Sequence, residues 1–169
     1  EEIDGGFQLT AGDECITARA VIIAAGAGAF GPNRPPLEGI EEYENGGGVQ
    51  YLVTRREDFR DRRVVIAGGG DSAVDWALSL APVAASVSVV HRRPKFRAAP
   101  ESARRLQELA TAGEIELVVP YQLAGLEGDG ELSGVRVATL DGDERLLPAD
   151  VLLPFYGLAT SLGPIAGWG

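Results

Sequence analysis

Residues 68–73 read Gly68-Gly69-Gly70-Asp71-Ser72-Ala73, which fits the spacing G-x-G-x-x-A. A glycine at the first fixed position makes a tight turn. A glycine at the second lets a pyrophosphate approach the backbone, and a small third residue lets a following helix pack close to a sheet. The start of such a helix presents free N–H groups and a partial positive charge, to which Ser72 adds a hydroxyl donor. The chemistry this arrangement suits is the holding of a nucleotide's phosphates. The same residues also suit a strand–helix turn with no ligand, and the surrounding elements decide between the two.

The second group of reactive side chains lies in "VVHRRPKFRAA", residues 89–99. A unit that binds NAD places a carboxylate about 20 positions past the glycines, where it takes the ribose 2′-hydroxyl. Here Arg92, Arg93 and Arg97 stand in that region and no acid is close by. A carboxylate would repel a 2′-phosphate, whereas guanidinium groups clamp one with charge-assisted hydrogen bonds. The reading is NADP(H) in preference to NAD(H), the alternative being a solvated basic loop. His91, the only histidine, is placed beside the adenine or at the strand end rather than in acid–base chemistry. Asp71 and Asp75 fall in the first turns of the helix, where favourable charge at the N-terminus accounts for both. A methyltransferase loop is the rival reading, and it too would want an acid after the second strand. No residue is assigned a catalytic or metal-ligating role.

The elements that must position these groups alternate cleanly. "RRVVIAG" (62–68) is a strand, Asp71 to Leu80 a helix, "ASVSVVHR" (85–92) a strand, Pro100 to Ala112 a helix and "EIELVVP" (114–120) a strand. Ala73, Val74, Ala77, Leu78 and Leu80 give the first helix an apolar face, and Gly113 ends the second. Residues 121–148 carry turn signals at Gly128-Asp129-Gly130 and Asp141-Gly142-Asp143, which predict an antiparallel meander. "DVLLPFYG" (150–157) returns to a buried strand. The expected fold class is α/β: a Rossmann-like NAD(P)-binding domain in three layers, with helices on one face of a parallel sheet and a three-stranded antiparallel meander on the other. Upstream, residues 7–26 read as two or three strands, the last from Ala20 to Ala25, and 28–49 as a long connecting segment.

The 169 residues carry a net charge of −10, which argues against nucleic acid as a partner. Residues 51–105 are the exception, with eleven basic against six acidic side chains. The glycines lie in this basic third, which points to an anionic ligand there. No apolar run approaches the roughly 20 residues a membrane span needs, and no signal peptide is visible. Cys15, the single cysteine, excludes an internal disulfide, a dithiol redox pair and a cysteine-rich metal site, and suits a reducing compartment such as the cytoplasm.

With these residues in view, "RRVVIAGGGDSAVDWALSL" and "ASVSVVHRRPKFRA" closely resemble the NADPH domain of the thioredoxin-reductase-like flavoproteins. That family's pattern is GGG[DN][ST]A followed by HRRxxFR. Within it, "GGGDSAVDWAL", "PVAASVSVVHRR" and "GLATSLGPIAGWG" look most like the bacterial type of ferredoxin (flavodoxin)–NADP reductase. Thioredoxin reductase proper carries a C-x-x-C dithiol shortly before the glycine-rich strand, and "VQYLVTRREDF" has no cysteine.

The resemblance implies a cofactor-binding set of Gly68, Gly69, Gly70, Asp71, Ser72, Ala73, His91, Arg92, Arg93, Arg97 and Gly157. It implies hydride transfer from NADPH to FAD and electron transfer onward to ferredoxin or flavodoxin, in a cytoplasmic homodimer. Residues 1–45 are expected to be a remnant of the FAD domain, 46–157 the NADPH domain, and 158–169 the start of the return to the FAD domain. The family's FAD fingerprint, a G-x-G-x-x-G at a first strand about a hundred residues upstream of this domain, does not lie within these residues, so the chain is expected to be a fragment that binds NADP(H) without flavin. A dithiol-free thioredoxin-reductase-like protein or a stand-alone NADP(H)-binding module are the alternatives. "GGGV" (46–49) and "YGLATS" (156–161) are expected to be hinged crossings between domains. The basic run "RREDFRDRR" (55–63) is either a solvated loop or a surface that steers an acidic electron carrier.

Overall fold

The computed structural model describes residues 1–24, 29–161 and 163–167. The chain opens with a three-stranded antiparallel sheet of β1 (Glu2–Ile3), β2 (Gly6–Ala11) and β3 (Glu14–Ala18) in that order. Its register places Phe7 opposite Ala18 and Leu9 opposite Ile16, so one face is apolar. The strand expected over Ala20–Ala25 does not form across 20–24, which join no ladder. Without a neighbouring strand to satisfy its backbone the segment stays unpaired, and Ile22 is 91% exposed. Residue 25 and the turn after it lie outside the described residues.

Next come β4 (Ala29–Pro32) and a short helix α1 (Ile40–Tyr43). The alternating part follows with β5 (Arg63–Ala67), α2 (Asp71–Leu80), β6 (Ser86–Val90), α3 (Pro100–Thr111) and β7 (Glu116–Val118). The meander is β8 (Gln122–Asp129), β9 (Glu131–Ala138) and β10 (Glu144–Pro148). The chain then returns through β11 (Val151–Pro154) to β12 (Leu158–Ser161) and a 3₁₀ turn at Gly163–Gly167. The residues after 157, read as loop from the sequence, thus include a strand, β12, which pairs with β4.

Side chains from the four-stranded sheet, in the order β11-β5-β6-β7 and parallel throughout, divide between two cores. Val64 and Ile66 of β5, Val87 and Val89 of β6, and Val151 and Leu153 of β11 pack with α2 and α3. Val65, Ala67, Val90, Val118 and Leu152 face the other way, onto Leu132, Val135, Val137 and Leu147 of the meander. The period of two along each strand produces this division. The three-layer α/β arrangement read from the sequence is therefore the one found.

The chain separates into two compact units, Glu1–Phe30 with Thr160–Gly169, and Gly31–Ala159. The expected boundary lay at 45/46. Residues 31–45 pack instead with the second unit, because Ile40 and Tyr43 are buried in its meander-side core. Two of the glycines in the expected "GGGV" hinge are closely packed. A Cβ at Gly47 would stand 2.8 Å from Gly130 O, and one at Gly48 2.6 Å from Leu132 Cβ. Leu132 N–H donates to Gly47 O and Leu152 N–H to Gly48 O, while Val49 is buried beside them. Gly47 and Gly48 are thus a close-packed insertion into the core, so rotation there would have to break these contacts. Among the described residues, no helix is long and apolar enough to cross a membrane.

Candidate functional site

The C-terminal ends of β5, β6 and β11 converge on one cleft of about 880 Å³ in the Gly31–Ala159 unit. A crevice at this end of a parallel sheet, where the chain order reverses about a central strand, is where such folds place ligands. Gly68 to Ala73, His91, Arg92, Arg97 and Gly157 all line it. Arg93 does not, although it is exposed on the same loop.

The three glycines serve three different purposes. Gly68 has φ +155, and a Cβ there would lie 2.8 Å from Phe155 O and 3.0 Å from Ala73 Cβ, so it makes the tight turn. A Cβ at Gly69 would collide with the His91 ring, 2.3 Å from both Cε1 and Nε2. Gly69, the unspecified position of G-x-G-x-x-A, is thus bare to accommodate a side chain of the protein. Gly70 meets nothing within 4 Å, so the room for a ligand to approach the backbone lies there. Gly70 is extended and precedes α2, whose first turn carries no side-chain cap. Its N–H groups are thus available to an anion.

Behind this turn the loop after β6 folds back. Arg97 N–H donates to Gly69 O at 2.6 Å, and Phe96 stands against His91 with ring centroids 5.1 Å apart. Asp71 accepts the N–H of Ala99 at 2.7 Å, and Asp75 accepts the Ser102 hydroxyl at 3.1 Å. Both carboxylates therefore tie α2 to the start of α3, and Asp71 is structurally engaged as well as lining the cleft. Arg92, Arg93 and Arg97 form no ion pair among the described residues. The cations at the rim are free to take an anion.

Burial pushes the His91 pKa below its usual value, and the cations of Arg97, Arg92 and Arg93 push the same way, against a hydrogen bond to the backbone of Lys95. Its Nε2 is buried without a hydrogen-bond partner among the described residues. A histidine with a folded pKa below the unfolded one, about 6.5, binds its proton more tightly when unfolded. Its contribution to stability is therefore complete above pH 6.5 and is lost as pH falls toward the folded value. Because His91 is the only histidine, thermal melts of His91→Gln should be flatter than wild type between about pH 7 and 5. Parallel curves would contradict this.

Sequence reading missed several residues of the same cleft, among them Tyr51, Trp76, Tyr121 and Tyr156. Tyr121 lies three residues past the third parallel strand, near its C-terminal end, from which a side chain reaches the rim, so that one was legible. Tyr51 and the proline-rich wall at Pro32, Pro35 and Pro36 are placed by contacts that no spacing encodes. Asn33 donates its N–H to Gly157 O at 3.0 Å and its side-chain amide to Tyr156 O at 3.1 Å. Arg34 is paired with Glu44, which also accepts the Tyr51 hydroxyl at 2.6 Å. Burial and the Glu44 carboxylate push the Tyr51 phenol up to about 12, so it remains a donor at neutral pH.

The basic run at 55–63 is partly paired. Arg55 pairs with Asp58, Arg56 with Glu57, and Arg63 with Asp150. Arg60 and Arg62 form no ion pair among the described residues.

Comparisons with known proteins point the same way as this geometry. A family model described as "Pyridine nucleotide-disulphide oxidoreductase" matches residues 3–162. The chain is 71% identical over 161 residues to a ferredoxin–NADP reductase of Paramagnetospirillum magneticum, covering 95% of this chain and 47% of that protein. It is 68% identical over 168 residues to one of Granulibacter bethesdensis, covering 98% and 48%. Among solved structures, thioredoxin reductase of Lactococcus lactis superposes with a TM-score of 0.75 at 25% identity, over 94% of this chain and 51% of that one. An atypical thioredoxin reductase of Desulfovibrio vulgaris Hildenborough gives 0.60 at 34% identity, over 94% and 50%. The chain thus spans about half the length of the relatives it matches. With its glycine turn, its parallel sheet and nearly all of its length accounted for by one family model, the chain belongs to the pyridine nucleotide-disulphide oxidoreductase family.

Proposed function

We propose that this chain carries the NADP(H)-binding domain of an FAD-dependent oxidoreductase that passes a hydride from NADPH to FAD and electrons on to ferredoxin or flavodoxin. The observation that carries the reading is the pairing of an open glycine turn at Gly70 with two arginines, Arg92 and Arg97, that form no ion pair among the described residues, in one cleft. The cleft's volume, about 880 Å³, suits a dinucleotide, since ligand sites run to roughly 1,000 Å³. We assign residues 46–157 to this domain, together with the wall at 31–45 that packs on it. The flanking pieces, 1–30 and 160–169, we assign to the flavin domain. The names of the relatives support the acceptor, and the absence of a cysteine pair near β5 supports a route that leaves directly from the flavin.

When bound, NADPH supplies the hydride from its nicotinamide. The residues here bind and orient: α2's N-terminus and Ser72 take the pyrophosphate, and Arg92 and Arg97 take the 2′-phosphate. None of them needs to move a proton. Calorimetric titration of the 169-residue chain should show NADP⁺ bound at least about tenfold tighter than NAD⁺, since one charge-assisted hydrogen bond contributes about 1.5–3 kcal/mol. Equal affinities would remove the 2′-phosphate assignment. In the whole protein, NADPH should bleach the flavin absorbance and ferredoxin should restore it.

A further inference from the structure

The geometry points to Tyr121 as an adenine platform, held from behind by Arg145, in the same cleft that the NADP(H) reading uses. The inference rests on that reading and extends it to the base. A 2′-phosphate gripped by Arg92 and Arg97 fixes the adjoining adenine close to the end of β6. Tyr121 is the cleft-lining aromatic joined to that end: its N–H donates to His91 O at 3.2 Å, while His91 N–H donates to Val118 O at 3.2 Å. It lies three residues past the end of β7, is half-buried, and packs against the meander-side core.

One face of its ring is already taken. The Arg145 guanidinium lies over it, with Cζ 5.7 Å from the ring centroid. That cation is fixed in turn by Glu116, 2.6 Å from Nη2, and Glu116 also accepts the Ser88 hydroxyl at 3.1 Å. Ser88 and Glu116 are register partners across β6 and β7. The sheet itself therefore holds Glu116, Glu116 holds Arg145, and Arg145 backs the ring. A ring backed in this way has less freedom to rotate before a ligand arrives, which lowers the entropy cost of stacking a base on its other face. Stacking discriminates by shape, not by hydrogen bonds, so the platform would strengthen binding of NADP(H) and NAD(H) alike. The preference between them stays with the arginines.

The test uses adenosine 2′,5′-bisphosphate and ribose 2,5-bisphosphate, which carry the same phosphates with and without the base. Calorimetry on the 169-residue chain is compared for wild type, Tyr121→Phe and Tyr121→Leu. Loss of a stacked base weakens binding by roughly tenfold or more. Tyr121→Leu should therefore lose about that factor for the adenosine compound and nothing for the ribose compound, while Tyr121→Phe stays within about twofold. A second readout needs no variant: the adenine H2 and H8 resonances should move upfield on binding to wild-type protein. Equal adenosine affinity in Tyr121→Leu, or adenine protons without an upfield shift, would overturn the platform and leave the NADP(H) reading intact. If wild type fails to bind adenosine 2′,5′-bisphosphate at all, the NADP(H) reading itself falls.

Discussion

Replacing Arg92 and Arg97 together by alanine raises the dissociation constant for NADP⁺ by about a hundredfold or more and leaves that for NAD⁺ within about threefold. Hydrogen bonds to charged groups contribute about 1.5–3 kcal/mol each, and two are lost. Neither guanidinium has a carboxylate partner among the described residues, so removing them strands no buried charge and should not unfold the chain. Arg93→Ala, outside the cleft lining, should change NADP⁺ affinity by less than about threefold. Calorimetry at fixed ionic strength measures all three. Affinity for NADP⁺ should also fall less steeply with added salt in the double variant, because two of the screened attractions are gone. An unchanged NADP⁺ constant in that variant would move the 2′-phosphate elsewhere.

The second large effect comes from Gly69→Ala. Its methyl group would enter the His91 ring, and the ring has little freedom to retreat, since Phe96 stands beside it. Overpacking of this kind costs about 1–3 kcal/mol, here concentrated where Arg97 N–H meets Gly69 O. The variant should melt several degrees lower and bind NADP⁺ about tenfold or more weakly. Combining it with His91→Ala opens the space again and should return part of the lost stability, giving a coupling energy of about 0.5–3 kcal/mol. Strictly additive effects of the two substitutions would show that the ring does not dictate glycine at 69.

Much of this arrangement was legible because period and punctuation agreed. The apolar runs of β5, β6 and β11, the helical spacing of Ala73, Val74, Ala77 and Leu80, and the turns at Gly130 and Gly142 are local signals. They gave the three layers correctly. The cleft's glycines and arginines were legible because a strand, a turn and a helix in succession fix where their ends lie. What escaped depended on contacts between distant segments. Gly47 and Gly48 look like a flexible linker, and only the positions of Leu132, Gly130 and Asp150 reveal that they are wedged. Ile40 and Tyr43 lie in a proline-rich stretch with no clear periodicity, yet they complete a core. Glycine at 69, a position the motif leaves unspecified, is dictated by the His91 ring, which no local spacing reveals.

Strand β5 is bordered by a partner on each side and covered by a core on each face, with Val64, Val65, Ile66 and Ala67 at most 1% exposed. The glycine turn begins at the very next residue. A ligand held by that turn is therefore in thermodynamic communication with the whole sandwich, since the turn exists only while β5 does. Occupancy at a hundred times the dissociation constant would add about 2.7 kcal/mol to the free energy of unfolding. On the proposed reading NADP(H) would act as a reporter of foldedness as much as a reactant: protein able to hold it would be protein whose two cores are both closed.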